Sequence, residues 1–74
     1  EIKSDITRLV MSEEFVLQMH GFYLDEEKAL MIFDIIVDFK APDRMQVRDN
    51  ILDKIKSKYP EYEVKITLDL DISD

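Results

Sequence analysis

Residues 29–40 constrain the fold more than any other stretch of this chain. Their odd positions, Met31, Phe33, Ile35, Val37 and Phe39, are all apolar, while the even positions mix Leu30, Ile32 and Ile36 with Asp34 and Asp38. Successive side chains of a strand point to opposite faces, so a strand here has one face to bury and one that carries two carboxylates. A carboxylate buried without a partner is strongly unfavourable. Asp34 therefore has to face outward, find a partner or hold a cation.

The pattern changes period on either side. Ile2, Ile6, Leu9 and Val10 recur at helical spacing with Lys3, Asp5 and Arg8 between them, which predicts an amphipathic helix over residues 1–12, ended by Ser12, Glu13 and Glu14. Residues 15–24 carry strand formers in a mixed pattern, and the charged turn Asp25-Glu26-Glu27-Lys28 joins them to 29–40 as a β-hairpin. Ala41, Pro42 and Asp43 break the strand. Asp43 then suits the N-cap of a second helix with Val47, Ile51, Leu52 and Ile55 on one face. Lys54, Lys56 and Lys58 fall in its last turns, where positive charge complements the helix dipole, and Tyr59, Pro60 and Glu61 stop it. Beyond Tyr62, the residues Val64, Ile66, Leu68, Leu70 and Ile72 alternate with Glu63, Lys65, Thr67, Asp69 and Asp71, which predicts a third strand with one buried face.

The order helix, strand, strand, helix, strand fits one domain over residues 1–74. A helical crossover between the second and third strands favours parallel pairing. The expected architecture is α+β: an α-β-β-α-β truncated ferredoxin-like open sandwich, with a three-stranded mixed sheet and both helices on one face. If the first strand buries its odd positions, Phe15, Leu17, Met19 and Tyr23 turn inward and Gln18, His20, Phe22 and Leu24 outward, so His20 and Asp34 share the outer face. A three- or five-residue hairpin loop around Glu27 sets His20 opposite Asp34, whereas a two- or four-residue loop sets it opposite Phe33. The former keeps both polar residues off the core.

Composition narrows the function classes. The 10 Lys and Arg against 17 Asp and Glu give a net charge of -7, which repels phosphate backbones and argues against nucleic acid or an anionic lipid surface as partner. Without cysteine there is no disulfide framework and no thiolate metal site. No apolar run approaches the roughly 20 residues that span a bilayer, so this segment is not expected to insert into lipid. A single glycine leaves no phosphate cradle, and no nucleophile–base order is present, so no enzymatic activity is expected. The chain opens at Glu1 and enters a helix at once, as a domain cut from a longer polypeptide would.

The segments Ser12-Glu13-Glu14-Phe15-Val16, Met19-His20-Gly21-Phe22-Tyr23-Leu24-Asp25 and Phe33-Asp34-Ile35-Ile36-Val37-Asp38-Phe39, followed by Lys58-Tyr59-Pro60-Glu61-Tyr62 and the run 66–74, resemble the cytoplasmic C-terminal domain of cation diffusion facilitator (cation efflux) transporters. The resemblance spans almost the whole chain and rests on the order and spacing of the segments. It implies a homodimeric regulatory domain on the cytoplasmic side of the cell membrane, attached to a membrane domain of the same chain that exchanges metal for protons. It further implies that this domain binds a divalent cation. His20 matches a histidine that often serves as ligand, Asp34 falls where relatives often place a second one, Asp49 lies near a third on the second helix, and Thr67 or Asp69 near one on the last strand. The expected metal set is His20, Asp34, Asp49 and Asp69.

With one histidine among carboxylates, zinc competes with manganese and iron(II) as the expected ion, because oxygen-rich sites favour the latter two. Other uses of the same residues stay open. His20 also reads as a hydrogen-bonded surface or interface histidine, Asp34 and Asp38 as charges that keep an open sheet face soluble, and Asp49 and Asp53 as the wet face of a helix. The alternative function is a stand-alone ferredoxin-like interaction or small-ligand-binding domain.

Overall fold

The computed structural model describes residues 1–70. They form α1 (Ile2–Met11), β1 (Val16–Asp25), β2 (Leu30–Val37), α2 (Arg44–Lys58) and β3 (Glu63–Leu70), in the expected order. β2 is the central strand, antiparallel to β1 and parallel to β3. Ile6 and Val10 of α1 and Val47, Ile51 and Ile55 of α2 share one core with Met31, Phe33, Ile35 and Val37 of β2. Both helices thus cover one face of a mixed three-stranded sheet, the truncated ferredoxin-like α+β sandwich. The alternation of β2 is strict: every odd residue from Met31 to Val37 is buried and every even one from Leu30 to Ile36 is half-buried. Full burial of a side chain such as Phe33 contributes about 1.5–3 kcal/mol, so this odd face fixes which side of the sheet the helices take.

Local chemistry sets the element ends. The Asp43 carboxylate accepts the Gln46 N–H at 3.1 Å and caps α2, as its position predicts. Ser12 closes α1, its N–H donating to the Arg8 carbonyl at 3.1 Å and its hydroxyl to that of Leu9 at 2.6 Å. The lysines of α2 act mainly as ties. Lys54 pairs with Glu13, Lys56 donates to the Tyr62 carbonyl at 2.8 Å, and Lys58 lies 2.7 Å from the Asp5 carboxylate. The Tyr59 hydroxyl also donates to Asp5 at 2.7 Å. Lys58 first, and then Tyr59, hold the Asp5 carboxyl below its ordinary range, and the same bond raises the Tyr59 phenol.

Three expectations are corrected. β2 stops at Val37, so Phe39 is not on the buried face but 66% exposed. The chain turns there because the Asp38 carboxylate accepts the Lys40 N–H and the Asp38 carbonyl accepts that of Ala41, both at 3.0 Å. Secondly, the hairpin loop has four residues, 26–29, with Ala29 in the left-handed region at φ 52°. Thirdly, β1 does not keep one parity. Register shifts after Val16 and after His20 turn its two ends over relative to its middle. Val16 and not Leu17 is buried, Leu17 is 43% exposed, and Tyr23 is 52% exposed. Phe22 stacks on Phe33 with ring centroids 6.0 Å apart, and both Phe22 and Leu24 pack against the core. The expected places of Asp71 and Ile72 lie outside the described residues.

Candidate metal centre

The bulge in β1 sets up the site. Gly21, at φ 67°, and Phe22 together oppose the single residue Phe33, the pattern of a bulge whose first residue is a left-handed glycine. The extra residue moves the pairing by one. A four-residue loop alone would not pair His20 with Asp34; loop and bulge together do. The expected juxtaposition therefore stands, reached by a different route. On the other side of β2, parallel pairing sets Thr67 beside Asp34 and Asp69 beside Ile36.

His20, Asp34 and Asp69, one from each strand, meet on the face away from the helices, and one ligand atom from each lies within 4.8 Å of the others. His20 Nδ1 is 3.8 Å from Asp34 Oδ2, and Nε2 is 3.8 Å from Asp69 Oδ2. These separations exceed a hydrogen bond, so neither ring nitrogen is committed to a carboxylate. A protonated imidazole here stands between two negative charges. A neutral one offers a nitrogen to a cation that both carboxylates can also reach, with metal–ligand bonds of about 2.0–2.2 Å after small side-chain rotations. The residues are accessible, with side chains 48%, 35% and 44% exposed for His20, Asp34 and Asp69. Half-buried Ile32 and Ile36 flank Asp34 along β2, and exposed Tyr23 sits across from Ile32, so apolar side chains border the charged cluster together with the polar Gln18, Lys65 and Thr67.

Asp49 does not join them. It lies on α2, which packs on the opposite face, and its Oδ1 is 3.3 Å from Arg48 Nη2. Asp53 is likewise exposed on that helix, and Thr67 is exposed on the sheet face without being one of the three converging groups. The residue that sequence reasoning missed is Gly21. A Cβ at that position would stand 3.3 Å from Asp34 Oδ2, so the bare glycine leaves room for the carboxylate as well as turning the strand. The one glycine of the chain, set inside a strand pattern, was the available signal.

No helix among the described residues is long and apolar enough to cross a membrane. No protein-family model matches the chain, and no curated protein matches it.

Proposed function

We propose that this chain is a regulatory domain that senses a divalent cation on its open sheet face and dimerises there, the part played by the cytoplasmic C-terminal domain of cation diffusion facilitator transporters. The observation that supports this reading best is the convergence of His20, Asp34 and Asp69 from three strands onto one accessible patch. One imidazole and two carboxylates suit manganese or iron(II) as well as zinc. Two copies of a chain with net charge -7 repel each other, and a cation held between carboxylates relieves that repulsion where the neighbouring Ile32, Ile36 and Tyr23 have area to bury. In this reading the domain sits on the cytoplasmic side of the cell membrane, joined to a membrane domain of the same chain, and itself catalyses no reaction.

Calorimetry and sedimentation velocity with zinc, manganese and, anaerobically, iron(II) test the proposal. The expected result is saturable heat with at least one ion and a shift towards dimer, both weakened by His20→Ala. No heat and no change in sedimentation with any of the three ions would refute cation sensing.

A further inference from the structure

The sheet has two free edges, and they differ in charge. β3 ends the strand order on one side and carries Glu63, Lys65 and Asp69. β1 ends it on the other and, among the described residues, pairs only with β2. From Phe15 to Leu24 there is no Asp, Glu, Lys or Arg, the longest such run in a chain of which 36% is charged. Natural edge strands are commonly kept apart by lysine, proline or an inward-pointing charge, and β1 has none of these before Asp25 at its end. Its backbone is open to solvent at mid-strand, because Gly21 is exposed and has no side chain to expose.

Two observations select a second copy of this chain as the occupant of that edge. The first is charge. Molecules of net charge -7 repel each other on most approaches, and along β1 they meet without setting carboxylate against carboxylate. The second is self-complementarity. With the extra residues at the two register shifts, Leu17 and Gly21, set aside, Val16, Met19, Phe22 and Leu24 face the core while Gln18, His20 and Tyr23 are exposed. Antiparallel pairing of β1 with its own copy, centred on His20, sets Val16 against Leu24, Gln18 against Tyr23 and Met19 against Phe22. Every pair then matches inward with inward and outward with outward, as a continuous sheet requires. Asp25 falls beyond the last of these pairs, opposite the apolar Phe15, and the Asp34 residues of the two copies stay about 14 Å apart, three strand spacings. A centre displaced either way shortens the paired run and brings the two copies of Asp25 or of Glu14 closer together.

We infer that β1 pairs antiparallel with β1 of a second copy, centred on His20, and joins two three-stranded sheets into one of six strands with all four helices on the same side. Strand addition of this kind draws its affinity from main-chain hydrogen bonds. The contact runs along the strand edge and leaves the open face free, so it is separate from the cation-dependent contact proposed above and is tested with EDTA present.

Sedimentation velocity in EDTA is expected to show a concentration-dependent equilibrium between monomer and dimer, and the backbone amides of β1 are expected to exchange more slowly with deuterium where the dimer prevails. Gln18 and Tyr23, both exposed, read the register. Oxidised with diamide, a mixture of Gln18→Cys and Tyr23→Cys is expected to cross-link at least about threefold more than either variant alone, because only opposed positions come within disulfide reach. Gln18→Lys combined with Tyr23→Lys opposes like charges at two places and is expected to weaken the dimer at least about tenfold, whereas Gln18→Lys with Tyr23→Glu restores it. The exchange measurement on the parent chain stands whether or not the variants fold. A protein that stays monomeric up to millimolar concentration overturns the inference. So does a dimer whose β1 amides exchange as fast as in the monomer, since that marks contact through another surface, and so does cross-linking of either single variant that equals the mixture, since that marks another register.

Discussion

Gly21 lies against Asp34: a β-carbon on the glycine would stand 3.3 Å from the carboxylate oxygen Oδ2 that faces His20. One residue therefore supplies both the left-handed turn that brings His20 into register and the space that the carboxylate occupies. Gly21→Ala is expected to cost about 1–2 kcal/mol from the backbone conformation alone. For a domain of this size that lowers the melting temperature by ~4–8 °C per kcal/mol. Gly21→Asn tolerates positive φ better, yet its larger side chain crowds Asp34 more. If crowding governs the cation site, Asn loses less melting temperature than Ala but no less cation affinity. Thermal scans and calorimetry on the two variants separate the effects.

Asp69→Asn and Asp49→Asn form a matched pair. Each removes one carboxylate charge, but only Asp69 converges with His20 and Asp34. Asp69→Asn is expected to weaken cation binding by at least about tenfold, ~1.4 kcal/mol, whereas Asp49→Asn leaves it unchanged within twofold or so. Equal losses in calorimetry would mean that diffuse negative charge, and not the three-strand cluster, attracts the ion.

The tie between the helices titrates at the acid end. Lys58 and then Tyr59 lower the Asp5 carboxyl from its ordinary value of 3.8. A depressed carboxyl contributes stability that is present above its unfolded value and lost as pH falls through the folded one. Asp5→Asn is therefore expected to be less stable than the parent near neutral pH and to approach it as pH falls through the lowered folded-state value. Urea unfolding at several pH values reads this out, and a constant gap down to the lowest pH would contradict it. Tyr59 gives the mirror image. Its raised phenol contributes stability below its ordinary 10.0, and that contribution disappears as pH rises through the raised value.

Phe33 is fully buried and stacks on Phe22 across the bulge. Phe33→Ala is expected to cost about 3–5 kcal/mol. A domain of 74 residues has a total of only about 4–11 kcal/mol at the usual stability per residue. At the lower end of that range circular dichroism is expected to find the variant partly unfolded at room temperature, and at the upper end its urea midpoint strongly lowered. A cation at a hundred times its dissociation constant would restore about 2.7 kcal/mol, so added metal should refold part of the population. Absence of rescue in a parent that does bind the ion would show that the cation site survives unfolding of the core.

Much of this was legible because the long periodic runs leave few choices. The odd face of β2 and the alternation of β3 follow from single residues such as Phe33 and Val64, and they place Asp34 and Asp69 on the outer face without further information. β1 was harder. Its mixed apolar pattern reflects two changes of parity, at Leu17 and at Gly21, and periodicity assumes a parity that does not change. Phe39 misled for a related reason: alternation continues through Asp38, but the Asp38 side chain turns the backbone before Phe39 can reach the core. Asp49 matched a position along the chain, which says nothing about the side of the sheet on which α2 packs.

The parallel alignment of β3 with β2 also has a consequence for the order of events in folding. His20 and Asp34 are close in sequence and meet when a hairpin closes, a step of about 1–10 μs. Asp69 arrives only after a whole helix has been threaded between β2 and β3, and such distant pairings form later. A chain caught between these steps holds only two of the three converging groups and, on the proposed function, would grip a cation weakly. If the domain senses a cation as proposed, full affinity would mark the moment the last strand docks, and the ion would serve as a chemical witness that the chain has finished folding.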